Sequence, residues 1–257
     1  MEGKSRVLII GVTGNLGHHL AQAALQFSHP TFALVRPSTF SDPHKSHKLH
    51  SLSSAGVTLL QGSLEDEESL MTAVKQVDVV ICAVSAKQVL RQKFLIQVIK
   101  QAGCIKLVQP GLKVPPRDKV TIFGDGNTKG VFVKESDVAA FTIRALDDPR
   151  TLNKVVYLRP PGNVYSMNEL VEIWESKIGK KLDKVFVSEE ELLERVKACC
   201  IADTPYPDNM EMVFIYSAFI KGDQTYFDIE SSGGVDGTKL YPQQNFTTIS
   251  QYLDTLL

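Results

Sequence analysis

Residues 6–17 read RVLIIGVTGNLG, and this stretch decides the fold. Residues 7–10 form a short apolar run rich in β-branched side chains, which is typical of a strand buried on both faces of a sheet. Glycines follow at positions 11, 14 and 17, and a helical pattern begins at residue 15. A strand, a glycine turn and a helix in this order open the βαβ unit that binds dinucleotides. We therefore predict a cofactor site here, with an ordinary glycine-bearing turn as the alternative.

The three glycines have separate expected roles. Gly11 permits the tight turn, Gly14 lets the backbone approach a pyrophosphate, and Gly17 lets the helix pack close to the sheet. Their spacing is GxxGxxG rather than GxGxxG, but the strand before them and the helix after them satisfy the structural context of the motif. Backbone N–H groups and the helix N-terminus would receive the phosphates.

Alternating strand and helix patterns continue through the first half of the chain. We predict strands at 31–35, 57–60, 78–83 and, starting a fifth, 105–108, and helices at 46–55, 65–76 and 87–102. Residues 36–47, with two prolines and several serines, are predicted to be a polar loop. This alternation predicts an α/β fold with a Rossmann-type parallel sheet.

The pattern changes after the prolines and glycine of residues 110–116. Strands are predicted at 119–123 and 130–133, joined as a loose hairpin across 124–127, and another at 155–158. Helices are predicted at 135–146, 166–178, 192–199, 209–220 and 248–257, and Ser166 with Glu169 forms a capping box. Trp174 falls at helical spacing among apolar residues and is expected in the core. We predict a Rossmann domain over 1–109 and a smaller, mixed α+β domain over 110–257, with segments that return to the Rossmann core.

Composition excludes several classes of protein. The 257 residues are 43% hydrophobic and 22% charged, with a net charge of -1, so no basic field points to nucleic acid or an anionic membrane. No apolar run approaches the ~20 residues of a membrane span, and a cytoplasmic protein is expected. The four cysteines have no CxxC spacing, and His44, His47 and His50 are interpreted as a solvated face, so no metal site is predicted.

Arg36 indicates which dinucleotide is bound. It lies 19 positions after Gly17, where the end of the second strand meets the adenosine ribose. An acidic residue there would bind the 2′-hydroxyl of NAD, whereas a guanidinium matches the 2′-phosphate of NADP. We predict NADPH as the cofactor, with Lys45 adding a point charge to that phosphate. A solvated arginine at the start of a loop is the alternative.

The residues nominate no catalytic group. Short-chain dehydrogenases commonly pair a tyrosine with a lysine four positions later, but none of the seven tyrosines has a lysine at that spacing. The chain also lacks a GxSxG motif.

Many segments together resemble the plant isoflavone reductase-like family, which contains phenylcoumaran benzylic ether, pinoresinol and lariciresinol reductases and eugenol synthases. They include GVTGNLG (11–17), ALVRP (33–37), VTLLQG (57–62), QVDVVIC (76–82), IKQAGCIK (99–106), PPRDKVTIFGDGN (115–127) and DDPRTLNKVVYLRPP (147–161). The similarity runs nearly end to end and also marks the chain as similar to NmrA-like atypical short-chain dehydrogenases.

The resemblance implies a set of cofactor contacts and a reaction. The pyrophosphate would be held by Gly11, Val12, Thr13, Gly14, Asn15, Leu16 and Gly17, and the 2′-phosphate by Arg36 and Lys45. Hydride would pass from NADPH to a benzylic or allylic carbon of a phenolic, phenylpropanoid-type substrate, with a lysine as general acid or base. A homodimer is left open.

One departure from the family pattern follows Lys106. Members continue from this point into a strand like RFxPSEFG, a segment with the catalytic lysine, a helix and a further strand, whereas here Lys106 runs into LVQPG. A missing unit of this kind comprises about 30 residues or more. Ser63, where relatives usually carry Asp, is a smaller departure.

We therefore predict a sheet truncated after the fourth or fifth strand, without a counterpart of the catalytic lysine. The adenosine and pyrophosphate half of the site would remain, and most of the nicotinamide and substrate half would be lost. Three functions stay open: an NADPH-dependent reductase with impaired activity, a non-catalytic NADP(H)-binding sensor or regulator of the NmrA-like kind, and a shortened splice or gene-model product without function.

Overall fold

The computed structural model describes residues 4–84, 95, 116–201 and 208–257. The chain forms two compact units, the first from residues 1–112 and 135–152, and the second from 113–134 and 153–257. The predicted helix at 87–102, apart from Leu95, the predicted strand at 105–108 and the predicted domain boundary at 109 lie outside the described residues.

A four-stranded parallel sheet forms the centre of the first unit, in the order β3-β2-β1-β4. Val7 lies opposite Thr31 on one side and Val79 on the other, so β1 is paired along both edges. This order is that of a Rossmann-type sheet and confirms the predicted α/β fold. The strands are β1 (Val7–Ile10), β2 (Thr31–Val35), β3 (Thr58–Gln61) and β4 (Val79–Cys82).

Both faces of this sheet are covered by helices. Alternate residues of β1 enter two different apolar clusters, Val7 and Ile9 one and Leu8 and Ile10 the other, as the two-residue period of a strand requires. Of the described helices, three contribute buried side chains to the first cluster and one to the second, which also contains Leu95. Covering the first face are α1 (Asn15–Gln26), α3 (Pro43–Ser54) and α5 (Glu135–Ala145), and covering the second is α4 (Glu67–Val74).

The predicted polar loop at 36–47 is wrong. A short helix, α2 (Pro37–Phe40), follows β2 directly, and α3 begins at Pro43, three residues before the predicted helix start. Both prolines occupy the first helical turn, where the missing N–H has no intrahelical partner to lose. Asp42 caps α3 by accepting a hydrogen bond from the His44 N–H at 3.0 Å. The prolines therefore start helices here rather than marking a loop.

The predicted hairpin in the second unit is also wrong. β5 (Lys119–Phe123) pairs in parallel with β9 (Asp183–Val187), whereas β6 (Lys129–Val131) pairs antiparallel with β8 (Val164–Ser166). The segment between β5 and β6 is a turn with positive φ at Gly124 and Gly126. Its local chemistry suits a hairpin as well, but long-range pairing sends the two strands to different sheets. A third pair joins β7 (Val156–Tyr157) to β10 (Val235–Asp236) in parallel.

The helices of the second unit begin largely as predicted. The capping box is confirmed: the Ser166 hydroxyl accepts from the Glu169 N–H at 3.2 Å, and the Glu169 carboxylate accepts from the Ser166 N–H at 2.7 Å. Trp174 is buried, as predicted, and its indole N–H donates to the Pro116 carbonyl at 2.6 Å. The helices are α6 (Met167–Ile178), α7 (Glu189–Ile201), α8 (Asp208–Tyr216), a π-helical turn (Ser217–Lys221), α9 (Gly237–Leu240) and α10 (Ile249–Asp254). Across the described residues, no helix combines the length and apolar character that a membrane span requires.

Candidate cofactor-binding site

The glycine turn joins β1 to α1 in a conformation that needs glycine. Gly11 has φ of 93°, a region that L-residues rarely adopt, and its carbonyl accepts a hydrogen bond from the Gly14 N–H at 3.0 Å. Gly14 is the N-cap of α1. The turn therefore closes within four residues and leads directly into the helix.

Two of the glycines also pack too closely for any side chain. A Cβ on Gly11 would lie 2.4 Å from the Ala83 carbonyl oxygen, at the end of β4. A Cβ on Gly17 would lie 2.2 Å from the Gly11 carbonyl oxygen. Gly14 is less constrained, because its Cβ would be 3.3 Å from the same oxygen. Gly11 and Gly17 thus hold strand, turn and helix together, as the motif predicts.

The N-terminus of α1 is suited to an anion. Gly14 and Asn15 are exposed, and among the described residues no side chain caps this helix. Its first turn, which is fully described, contains no acidic residue. The first N–H groups of a helix lack intrahelical partners and carry the positive end of the helix dipole. They can therefore donate to a phosphate.

A pocket of about 310 Å³ opens at this turn. It lies at the carboxyl ends of β1, β2, β3 and β4, the edge where α/β sheets bind ligands. Of the predicted site residues, it brings together Gly11, Val12, Thr13, Gly14, Arg36 and Lys45. The other three predicted residues do not line it: Asn15 is exposed on α1, and Leu16 and Gly17 are buried beneath the turn.

Among the described residues, the charged side chains that line this pocket come from three places in the chain. Arg36 is exposed where β2 ends, and Lys45 is on the first turn of α3 rather than in a loop. The Lys45 Nζ donates to Asp42 Oδ2 at 2.7 Å, and this hydrogen bond is the main reason why the pKa of Asp42 is lowered. Glu65 also lines the pocket. Arg36 and Lys45 are thus placed to share an anionic ligand.

Sequence reasoning missed several residues of the pocket wall. Thr39, Gly62 and Glu65 line the pocket, as does Ser63, which was noted only as a departure from the family pattern. A Cβ on Gly62 would lie 2.6 Å from Ser69 Oγ and 2.8 Å from Leu34 Cδ1, so a larger residue would have to displace these side chains. The Ser63 hydroxyl accepts from the Glu65 N–H at 3.2 Å and so shapes the turn after β3. For Gly62, Ser63 and Glu65 the position just after β3 was the available signal, since the ends of parallel strands share one edge.

Lys48 also contacts the glycine turn, and no sequence pattern predicted this contact. Its Nζ donates to the Thr13 carbonyl at 3.2 Å, across 35 residues of sequence. Nearby, the pKa of His18 is lowered, first by burial and then by the charges of Lys48 and His19. Within the described residues, His18 Nδ1 is buried without a hydrogen-bond partner.

A tyrosine and a lysine are brought together in the second unit, at a spacing of five rather than four. The π-helical turn after Tyr216 places the Lys221 Nζ 5.1 Å from the centre of its ring. The Tyr216 hydroxyl donates to Glu189 Oε1 at 3.0 Å, and Lys221 donates to the same oxygen at 2.9 Å. The interaction with the Tyr216 side chain, followed by the hydrogen bond to Glu189, raises the pKa of Lys221. These contacts connect α7 to the π-helical turn, and they do not identify a catalytic residue.

Comparisons with known proteins identify similar chains. The model of the NmrA-like family matches residues 3–111 and 106–253. A probable pinoresinol-lariciresinol reductase of Arabidopsis thaliana is 54% identical over 310 aligned positions, covering 99% of this chain and 98% of the relative. A phenylcoumaran benzylic ether reductase of Ginkgo biloba is 43% identical over 308 positions, covering 98% and 99%. The solved binary complex of Vitis vinifera leucoanthocyanidin reductase with NADPH aligns with a TM-score of 0.87 at 29% identity, covering 98% and 99%.

Proposed function

The chain belongs to the NmrA-like family, and from that premise we propose that the pocket at the glycine turn binds NADPH. The observation that carries the proposal is the convergence of the turn, Arg36 and Lys45 on one pocket at the carboxyl edge of the sheet. The similar leucoanthocyanidin reductase was solved with NADPH, which supports the same cofactor here.

Each part of the site has a role in this proposal. N–H groups at the start of α1 donate to the pyrophosphate, and Gly14 allows the close approach. The Arg36 guanidinium, which lines the pocket, would hold the 2′-phosphate, because its N–H donors match a phosphate. Lys45 adds its charge to the same group while it remains bonded to Asp42. Gly17 binds nothing directly but sets the distance between α1 and the turn.

We further infer that the chain derives from reductases of phenolic, phenylpropanoid-type substrates. Bound NADPH supplies a hydride, and the relatives' names indicate pinoresinol, lariciresinol and phenylcoumaran benzylic ethers as substrates. The predicted acceptor is a benzylic or allylic carbon.

Two observations support the inference that this activity is impaired. The alignment with the Arabidopsis relative has 310 positions and this chain has 257 residues, so at least 53 positions have no residue of this chain. The family model matches in two segments that overlap at residues 106–111, where the sequence departs from the family pattern. A missing segment at this place would remove the catalytic lysine. A non-catalytic NADP(H)-binding sensor or regulator is therefore the second candidate function.

Cofactor discrimination tests the binding proposal. Isothermal titration of the wild-type chain is expected to give tighter binding of NADPH than of NADH. Arg36→Met removes charge-assisted hydrogen bonds, and the preference for NADPH should fall by about tenfold or more. Arg195→Met is the matched control, because it removes an exposed arginine of α7 that pairs with Glu191. Absence of NADPH binding by the wild type, or an unchanged preference in Arg36→Met, contradicts the proposal.

Measurement of NADPH oxidation distinguishes an active reductase from a non-catalytic binding protein and from a product without function. The same purified sample is mixed with NADPH and a furofuran lignan such as pinoresinol, and loss of nicotinamide absorbance is followed. Tight binding with little or no turnover is expected. Efficient turnover would refute the impairment, and absence of both binding and turnover would indicate a product without function. The expected phenolic substrate, the homodimer and the cytoplasmic location remain predictions.

A further inference from the structure

Lys48 fixes the backbone of the glycine turn from a distant element. It lies on α3, is partly buried, and donates from Nζ to the Thr13 carbonyl oxygen at 3.2 Å. The peptide group between Thr13 and Gly14 is thereby held at both ends, because the Gly14 N–H donates to Gly11. Two hydrogen bonds in different directions fix the plane of this peptide, from which α1 begins.

The ammonium groups of Lys48 and Lys45 have different partners. The ammonium of Lys45 is paired with the carboxylate of Asp42. Lys48 donates to an uncharged carbonyl, and among the described residues no carboxylate forms an ion pair with it. Its charge is therefore not neutralised by the contact that holds it. Burial, and after it the charge of Lys48, lowers the pKa of the neighbouring His18.

We propose that Lys48 is a positioning residue for the dinucleotide pyrophosphate. It holds the Thr13–Gly14 peptide in the orientation that presents the turn to the phosphates, and its charge adds to the field of the α1 N-terminus. This inference rests on the proposed binding of NADPH. Because the pyrophosphate is common to NADPH and NADH, Lys48 contributes equally to both, whereas Arg36 acts on the 2′-phosphate alone.

The ratio of the affinities for NADPH and NADH tests the proposal. Lys48→Met is expected to weaken binding of NADPH and NADH by the same factor, about tenfold, through the loss of a charge-assisted hydrogen bond. Lys48→Arg, which keeps the charge and a donor, should restore both affinities to within about threefold. Lys75→Met, an exposed lysine that caps the end of α4, is the matched control and should change neither. Unchanged affinities in Lys48→Met, or a selective loss of NADPH, overturn the proposal.

Amide hydrogen exchange tests the positioning without any cofactor. In the cofactor-free chain, exchange of the Gly14 amide should accelerate by about tenfold in Lys48→Met and stay unchanged in Lys75→Met, because the turn loses one of its two bonds. A simple loss of global stability would accelerate the slowest core amides as well, which are measured in the same spectra. If the wild type binds neither dinucleotide, the proposed function fails, while unchanged Gly14 exchange refutes the hold of Lys48 on the turn.

Discussion

Replacing Gly17 with alanine tests whether the close contact between α1 and the glycine turn is needed. The added Cβ would lie 2.2 Å from the Gly11 carbonyl oxygen, 2.7 Å from its carbonyl carbon and 3.0 Å from Val12 Cα. Ordinary contacts of a Cβ begin at 3.4 Å, so helix and turn would have to separate by about 1 Å. All three obstructing atoms belong to the backbone, and no side-chain rotation relieves the clash.

Two opposing effects determine how much Gly17→Ala changes the free energy of unfolding. Alanine in place of glycine favours a helix by about 0.8–1 kcal/mol. Overpacking a buried contact costs about 1–3 kcal/mol, and backbone obstruction places Gly17 at the upper end of that range. The free energy of unfolding should therefore fall by about 1–2 kcal/mol. Since the α1 N–H groups move away from the turn, the affinity of the folded protein for NADPH should fall by about tenfold or more.

Urea denaturation measures the stability change, and titration with NADPH under native conditions measures the affinity. Gly162→Ala is the control, because a Cβ at Gly162 would have no neighbour within 4 Å and the residue has no positive φ. Its effect on stability should stay within about 0.5 kcal/mol. If Gly17→Ala matched this control in both stability and NADPH affinity, the assigned role of the contact would be incorrect.

Two further predictions concern stability. The Asp78 carboxylate accepts hydrogen bonds from Arg6, which lower its pKa from 3.8 to about 2. The stabilisation from this carboxylate is complete above its unfolded pKa and is lost as the pH falls through its folded pKa. Because the pair is half exposed, it amounts to less than about 1 kcal/mol. Asp78→Asn should therefore weaken the pH dependence of the urea midpoint between pH 4 and pH 2. Ser166→Ala removes the acceptor for the Glu169 N–H and should lower the free energy of unfolding by about 1 kcal/mol, whereas Ser166→Thr should retain most of it; equal midpoints for the two variants would exclude the capping role.

Local features of the chain were predictable from sequence. The glycine turn and the capping box at Ser166 depend on donors, acceptors and steric limits within a few residues of chain. The strand end at Arg36 could be located because β2 is a short apolar run bounded by polar residues. The exception is the segment after Arg36, where Pro37 and Pro43 start helices, because proline is equally compatible with a loop and with a first helical turn.

Long-range features were not predictable in the same way. The turn between β5 and β6 has the composition of a hairpin, but the partners of both strands lie more than 30 residues further along the chain. The π-helical turn that brings Lys221 to Tyr216 breaks the four-residue spacing on which a sequence search relies. Both depend on contacts that are formed only when distant segments pack.

The amino-acid sequence by itself determined the Rossmann-type start, its glycine turn and the identity of the basic residue after β2. Only the tertiary structure decided that Lys45 is carried on a helix, that Thr39 lines the pocket, and that Lys48 holds the Thr13 carbonyl. The physical reason is the range of the interactions. Backbone strain and capping act within one turn of chain, whereas a pocket is made by strand ends and helices that are brought to the same edge of a sheet by burial of their apolar faces.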